Sequence, residues 1–313
     1  MEMGIDIGYG VTKAVRADGE VRCFRSVVGI GTPDTFGVSN NNFNVVKIDG
    51  RMYTVGESAE RQRLPIISVQ SRNMIESVGY RALLLASLDG DYESSHSIVT
   101  GLPLSYFNAD KLRVMSKFKE TLPNCQTRVV PQPMGSFYDA LFDDEGNVQN
   151  ITFLDKRIAV LDIGTYTTDL LVADKGTPVA GVSASVEIGI DTLFKSIQKS
   201  LMHVRRNITN GEIEKALKTN TIIKDGEQMD ISYILSENKA AVASNVWSWV
   251  NAKLGGTEED IEIIVLTGGG GEILRNYFLQ GNISMPKSPF LANARGFCKI
   301  ARRLYGKAEV PTD

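Results

Sequence analysis

Cysteine is scarce in this sequence. Cys23, Cys125 and Cys298 stand far apart and are odd in number, which excludes a disulfide framework and a CxxC metal site. The only histidines, His96 and His203, are too distant in sequence to suggest a shared metal. No stretch reaches the roughly 18 consecutive apolar residues of a membrane helix, and the opening MEMGIDIG lacks the basic region of a signal peptide. Neither charge is in large excess: 34 basic and 37 acidic side chains leave a net charge of -3, so no global basic field draws nucleic acid. With 42% hydrophobic residues and only 10 prolines, the chain has too much apolar material for disorder to be its main state. The expectation is a cytoplasmic globular protein. Its 313 residues suffice for two domains.

An internal repeat organises what is present. Residues 4–15 read GIDIGYGVTKAV and residues 160–172 read VLDIGTYTTDLLV. Each is an apolar run, then Asp-Ile-Gly, a few small or hydroxyl residues, and a second apolar run. Asp-Gly-type turns are common singly. Two copies, with Asp6 and Asp162 separated by almost half the chain, favour a duplicated domain.

The coarse pattern agrees with duplication. Strands are expected at 3–8, 11–17 and 20–28, then at 52–55, 97–100 and 127–130, with helices over 74–88 and 109–122. Asn108 is the expected N-cap of the second helix and Pro123 its stop. Residues 30–70, with Asn40-Asn41-Asn42 and a hairpin at Asp49-Gly50, read as a small inserted subdomain. The second half repeats the order. Strands are expected at 158–163, 169–173 and 178–184, then helices over 191–203, 210–218 and 239–254, the last ending at Gly255-Gly256. A buried strand at 261–266 runs into Gly268-Gly269-Gly270-Gly271, and a final helix covers 292–305. This is an α/β protein of two domains.

The chemistry lies in the turns. Gly8 and Gly10 have no Cβ, so their N–H groups can form an anion nest, and Lys13 can direct a cation at the same oxygens. The turn from Asp162 to Asp169 offers backbone donors, three threonine hydroxyls and two carboxylates. Two such hairpins could clamp a polyphosphate. Asp6 and Asp162 cannot bind phosphate directly, because like charges repel; they would hold Mg²⁺ through its waters. The glycine run at 268–271 lets backbone lie against a planar or phosphorylated ligand. It is neither GxGxxG nor GxxxxGK[ST], which argues against the Rossmann and P-loop folds.

With these elements in this order, the sequence resembles the superfamily of actins, heat-shock chaperones and sugar kinases. Asp6 to Lys13 is similar to its first phosphate loop, Asp162 to Asp169 to its second in the DxGxxTxD form, and Leu266 to Gly271 to its adenosine loop. Val130-Pro131-Gln132-Pro133, before a helix expected near Gly135, falls where actins place a glutamine beside the attacking water. Ala292-Asn293-Ala294-Arg295-Gly296-Phe297 is similar to the start of their interface-crossing helix. The phrases Phe24–Gly29, Ile48–Ala59 and Thr100–Leu104 resemble the plasmid-segregating actins of the ParM/StbA type and archaeal actin-like proteins.

The resemblance implies an actin-like duplicated ribonuclease-H-type fold with a nucleotide cleft between two domains. Residues 1–157 with about 290–313 would form one domain, and 158–289, with a small subdomain at about 200–255, the other. It implies ATP, with GTP as an alternative, and Mg²⁺ as cofactors. Nucleotide would be held by Gly8, Tyr9, Gly10, Lys13, Gly164, Thr165, Tyr166, Thr167, Gly268, Gly269 and Gly270. Metal would be held through water by Asp6 and Asp162, and hydrolysis would involve Gln132, Asp162 and Asp169. Closure of the cleft is expected to hinge near 132–137 and 292–297, where Ala294 and Gly296 allow close helix approach. The implied partners are further copies in a filament and a DNA-binding adaptor, with no direct nucleic acid and no membrane. A small-molecule kinase on the same fold is the alternative.

Overall fold

The computed structural model describes residues 1–33, 44–69, 72–255, 260–278 and 282–306. The expectations at Asn40-Asn41-Asn42 and at Gly256 lie outside these residues. The chain divides into two compact units, Met1–Leu154 with Leu291–Asp313, and Asp155–Phe290.

The first unit is built on β1 (Glu2–Ile7), β2 (Val11–Arg16) and β3 (Val21–Arg25), an antiparallel meander. A small sheet follows from β4 (Val28–Ile30), β5 (Asn44–Ile48), β6 (Arg51–Val55), the short helix α1 (Glu57–Arg61) and β7 (Ile66–Ile67), in strand order β5-β6-β4-β7. Then come α2 (Val78–Ala86), β8 (Ser97–Leu102), α3 (Leu104–Thr121), β9 (Gln126–Pro131), α4 (Gln132–Leu141) and α5 (Thr152–Asp155). The main sheet has the order β3-β2-β1-β8-β9, with β1, β8 and β9 parallel.

The second unit repeats that order. Strands β10 (Arg157–Ile163) and β11 (Thr168–Asp174) form the hairpin, and β12 (Thr177–Pro178) and β13 (Ala184–Val186) both pair with β11. They are followed by α6 (Ile190–Leu201), α7 (Asn210–Thr219), β14 (Thr221–Lys224), β15 (Glu227–Asp230), α8 (Ser232–Leu254), β16 (Ile263–Thr267), α9 (Gly268–Leu274) and β17 (Ile283–Ser284). The sheet runs β12-β11-β10-β16-β17, again antiparallel at the hairpin and parallel beyond it. Helix α10 (Ala292–Tyr305) belongs to the first unit.

Alternation along the strands assigns the two faces of the first sheet. Met3, Ile5 and Ile98 join a core with residues of α2 and α3, while Val99 joins Phe297 and Ile300 of α10. Gly4 is required at this second face, because a Cβ there would stand 2.0 Å from the carbonyl of Ala294. Helices α4 and α10 also cross backbone to backbone: a Cβ on Gly296 would lie 1.7 Å from the carbonyl oxygen of Gly135. Both helices expected to form the hinge therefore pack against each other inside one unit.

The structure corrects several expected boundaries. Helix α3 begins at Leu104 after Pro103, not after Asn108, because Pro103 supplies a suitable extended entry and lacks an N–H that would need a partner. Helix α4 begins at Gln132 rather than near Gly135. Its Pro133 lies in the first turn, where the missing donor is harmless. Helix α8 starts seven residues early, at Ser232, whose N–H bonds the Asp230 carboxylate. The expected third strands are shorter, β3 ending at Arg25 and the 178–184 segment resolving into β12 and β13. The β14–β15 hairpin was not expected, although Asp225-Gly226 between Ile222-Ile223 and Met229 is a hairpin signal.

Candidate functional site

In the first unit the site begins at the end of β1. Asp6 is 1% exposed and faces Lys13 in the antiparallel register of β1 and β2. Lys13 Nζ lies 2.8 Å from Asp6 Oδ2, and Gln132 Nε2 donates to Asp6 Oδ1 at 3.0 Å. The first residue of α4 thus reaches the phosphate-loop candidate across 126 residues of sequence. Lys13, expected to point at ligand oxygens, is shared with the buried carboxylate. The amide of Gln132 is oriented by this bond, because only its NH₂ can donate to a carboxylate; its Oε1 is left to accept.

The turn between β1 and β2 is fastened from behind by Ser26. Its hydroxyl donates to the carbonyl of Gly8 at 2.5 Å and accepts from Thr12 Oγ1 at 2.9 Å, while its N–H bonds the carbonyl of Gly10. Tyr9, between the two glycines, packs partly buried against the core. Sequence reasoning missed Ser26, which stands one residue past the end of β3 and carries no local signal of this role.

In the second unit Asp162 is 4% exposed at the end of β10, directly across the ladder from Asp169, which is 2% exposed. The two hairpins therefore differ at one register position: where the first opposes Asp6 with a lysine, the second opposes Asp162 with another carboxylate. Asp169 Oδ2 accepts from Thr167 Oγ1 at 3.3 Å, and its Oδ1 accepts from the hydroxyl of Ser185 on β13. The turn itself is closed by Gly164 N–H to the Thr167 carbonyl at 2.8 Å. The first amides of α6 bond back to it, Ile190 to the Gly164 carbonyl and Asp191 to that of Thr165. Burial pushes the Tyr166 phenol up in pKa; Asp191 adds to this and Lys195 opposes it.

The glycine run forms the first turn of α9 rather than a loop ahead of it. Gly268 has φ +79°, and a Cβ there would stand 2.4 Å from Asp162 Oδ1. A Cβ on Gly270 would meet Ile163 Cγ2 at 2.3 Å. These two glycines bring α9 against the end of β10. Gly269 is different, since the nearest atom to its Cβ would be Phe290 Cδ2 at 3.4 Å.

Comparison with known proteins fits this pair of hairpin-and-crossover units. Residues 4–135 match the family model for the actin-like protein N-terminal domain, and residues 160–280 that for the C-terminal part of the MreB-like archaeal actin homologue. Between them the two models span most of the chain. The chain belongs to the actin-like proteins. An archaeal actin homologue of Thermoplasma acidophilum is 19% identical, the alignment covering 96% of this chain and 98% of the relative. A 15-stranded ParM filament from Clostridium botulinum has a subunit of the same fold, with a TM-score of 0.77 at 21% identity over 96% of this chain and 99% of the other. An archaeal actin homologue solved in complex with ADP gives a TM-score of 0.75 at 19% identity, covering 97% and 100% of the two chains.

The fold carries the buried carboxylates of Asp6 and Asp162 at the ends of β1 and β10. One buried cluster joins α4 and α10 within the first unit and was invisible in sequence. Arg295 of α10 makes a bidentate ion pair with Asp139 of α4, its Nη2 at 2.5 Å from Oδ2, and Lys299 Nζ binds the carbonyls of Asp139 and Phe142 at 3.0 and 2.8 Å. Lys299 thereby satisfies carbonyls at the end of α4 that have no partner within the helix.

Proposed function

We propose that this chain binds ATP with Mg²⁺, hydrolyses it, and assembles into filaments whose lifetime the bound nucleotide sets. The observation that carries the reading is the repeated hairpin, with a buried aspartate closing each central strand immediately before a glycine turn. A buried carboxylate beside backbone donors suits a hydrated cation carrying phosphates. Gly8, Tyr9, Gly10 and Lys13 would bind phosphate oxygens, as would Gly164, Thr165, Tyr166 and Thr167. Gly268, Gly269 and Gly270 would lie against the nucleoside. GTP is the alternative nucleotide. Among the described residues no group of three His, Cys, Asp or Glu side chains could grip a metal directly, so Asp6 and Asp162 would hold Mg²⁺ through its waters. When bound, the ion neutralises phosphate charge and polarises the terminal phosphoryl group.

Gln132 would orient the attacking water. Its amide, fixed on Asp6, accepts from water through Oε1 but is too weak a base to deprotonate it, so positioning is its role. Asp169 would polarise the same water. Gln132→Ala is expected to slow phosphate release by about one to two orders of magnitude, a loss of roughly 1.4–2.7 kcal/mol of transition-state stabilisation. Assembly with ATP should persist and the filaments should last longer. Normal hydrolysis in this variant would remove Gln132 from the mechanism.

Self-association is supported by the relative solved as a ParM filament. The phrases of the ParM/StbA type support movement of plasmid DNA through a DNA-binding adaptor. The net charge of -3 favours an adaptor over direct nucleic-acid contact. We place the protein in the cytoplasm; no described helix is long and apolar enough to cross a membrane.

A further inference from the structure

Asp169 is held by hydroxyls on both of its oxygens. Thr167 donates to Oδ2 from just before the same strand, and Ser185 donates to Oδ1 from β13. Strand β13 is only Ala184–Val186, and its register sets Ser185 directly opposite Asp169. Its other two side chains carry no hydrogen-bonding group. The strand's exit is fastened by Thr168 Oγ1, which donates to the Ile188 carbonyl at 2.6 Å. Opposed residues on antiparallel strands have Cβ atoms about 4.5–5.5 Å apart, a gap that a serine hydroxyl and an aspartate fill without displacing either backbone.

We infer that Ser185 is the positioning residue of Asp169, fixing the rotation of the carboxylate so that one ionised edge is presented to the attacking water. The inference rests on the hydrolytic reading above. An ordinary partner that only satisfies a buried carboxylate would change stability. A positioning residue changes turnover, and does so only while Asp169 is an aspartate.

The test is a double-mutant cycle of Ser185→Ala with Asp169→Asn, together with Ser185→Thr. Phosphate release against ATP concentration is measured, along with nucleotide affinity and nucleotide-free melting temperature. Ser185→Ala is expected to lower kcat about tenfold, the usual scale for losing one charge-assisted hydrogen bond, with KM and affinity within about twofold of wild type. Ser185→Thr keeps the hydroxyl and should recover most of the rate. In the Asp169→Asn background Ser185→Ala should add no further loss, since the residue acts through that carboxylate. Wild-type kcat in Ser185→Ala, or an equal loss in both backgrounds, would overturn the inference. Should Ser185→Ala not fold, Ser185→Cys, similar in size with a weaker donor, carries the same comparison. A wild-type protein that releases no phosphate refutes the hydrolytic reading itself and this inference with it, an outcome separate from those above.

Discussion

Gly268 and Gly269 are adjacent in the same glycine run, yet a methyl group has opposite expected consequences at the two positions. At Gly268 the backbone is in the left-handed region, with φ +79°, and the added Cβ would stand 2.4 Å from both Asp162 Oδ1 and the Ile163 carbonyl oxygen. The conformation alone costs an alanine about 1–2 kcal/mol. Crowding a carboxylate and a backbone carbonyl adds about 1–3 kcal/mol. Gly268→Ala should therefore lose about 2–5 kcal/mol and lower the melting temperature by on the order of 10 °C. At Gly269 the nearest atom would be Phe290 Cδ2 at an ordinary 3.4 Å, and the residue is helical. Alanine is favoured over glycine inside a helix by about 0.5–1 kcal/mol. Gly269→Ala should melt at or slightly above wild type, yet bind nucleotide more weakly, because its backbone is proposed to lie against the nucleoside. Thermal unfolding by circular dichroism without nucleotide, and titration with a fluorescent ATP analogue, separate the two effects. Equal melting of the two variants would refute the steric argument. Wild-type nucleotide affinity in Gly269→Ala would refute the placement of the nucleoside.

Two further predictions follow from packing and charge. Gly296→Leu, at the α4–α10 crossing where a Cβ would lie 1.7 Å from the Gly135 carbonyl oxygen, should yield unfolded or aggregated protein and not a folded variant with weakened nucleotide binding; a far-UV spectrum and melting curve like wild type would contradict this. Asp110 is buried, and hydrogen bonds from Arg72 at 2.6 Å and Arg113 at 2.8 Å hold its carboxyl below the usual carboxylate range. Because its pKa is lower folded than unfolded, its stabilisation is complete above about pH 4 and is lost as pH falls through the folded value. Asp110→Asn should accordingly show a shallower loss of melting temperature on acidification than wild type; parallel curves would remove Asp110 as a source of that dependence.

The parts of the fold that were legible in sequence are those written in short-range chemistry. The two Asp-Ile-Gly turns, the apolar runs beside them and the helix over 292–305 each carry their signal within a dozen residues, and each forms as expected. Two helix starts were placed too late. Helix α3 was expected after Asn108 and α4 near Gly135, whereas Pro103 and Pro133 sit at the helix starts, the one helical site where a missing N–H is harmless. The glycine run was read as a loop leading into a helix, whereas it forms the first turn of α9 although glycine is a poor helix former. Close packing on Asp162 and Ile163 admits nothing larger at Gly268 and Gly270, and tertiary contact overrides propensity there. Partnerships across long separations were not legible at all. Gln132 on Asp6, and Arg295 with Lys299 on Asp139, depend on which helix end meets which strand end, and no local pattern encodes that.

The most direct test of the central claim, nucleotide-driven assembly, is ultracentrifugal pelleting of the purified protein with phosphate release followed in the same tube. With Mg²⁺ and ATP the protein should enter the pellet, release phosphate, and return to the supernatant as ATP is exhausted; with ADP or without nucleotide it should stay in the supernatant. Protein that hydrolyses or transfers phosphate from ATP but never pellets would contradict the account and leave the small-molecule kinase in its place.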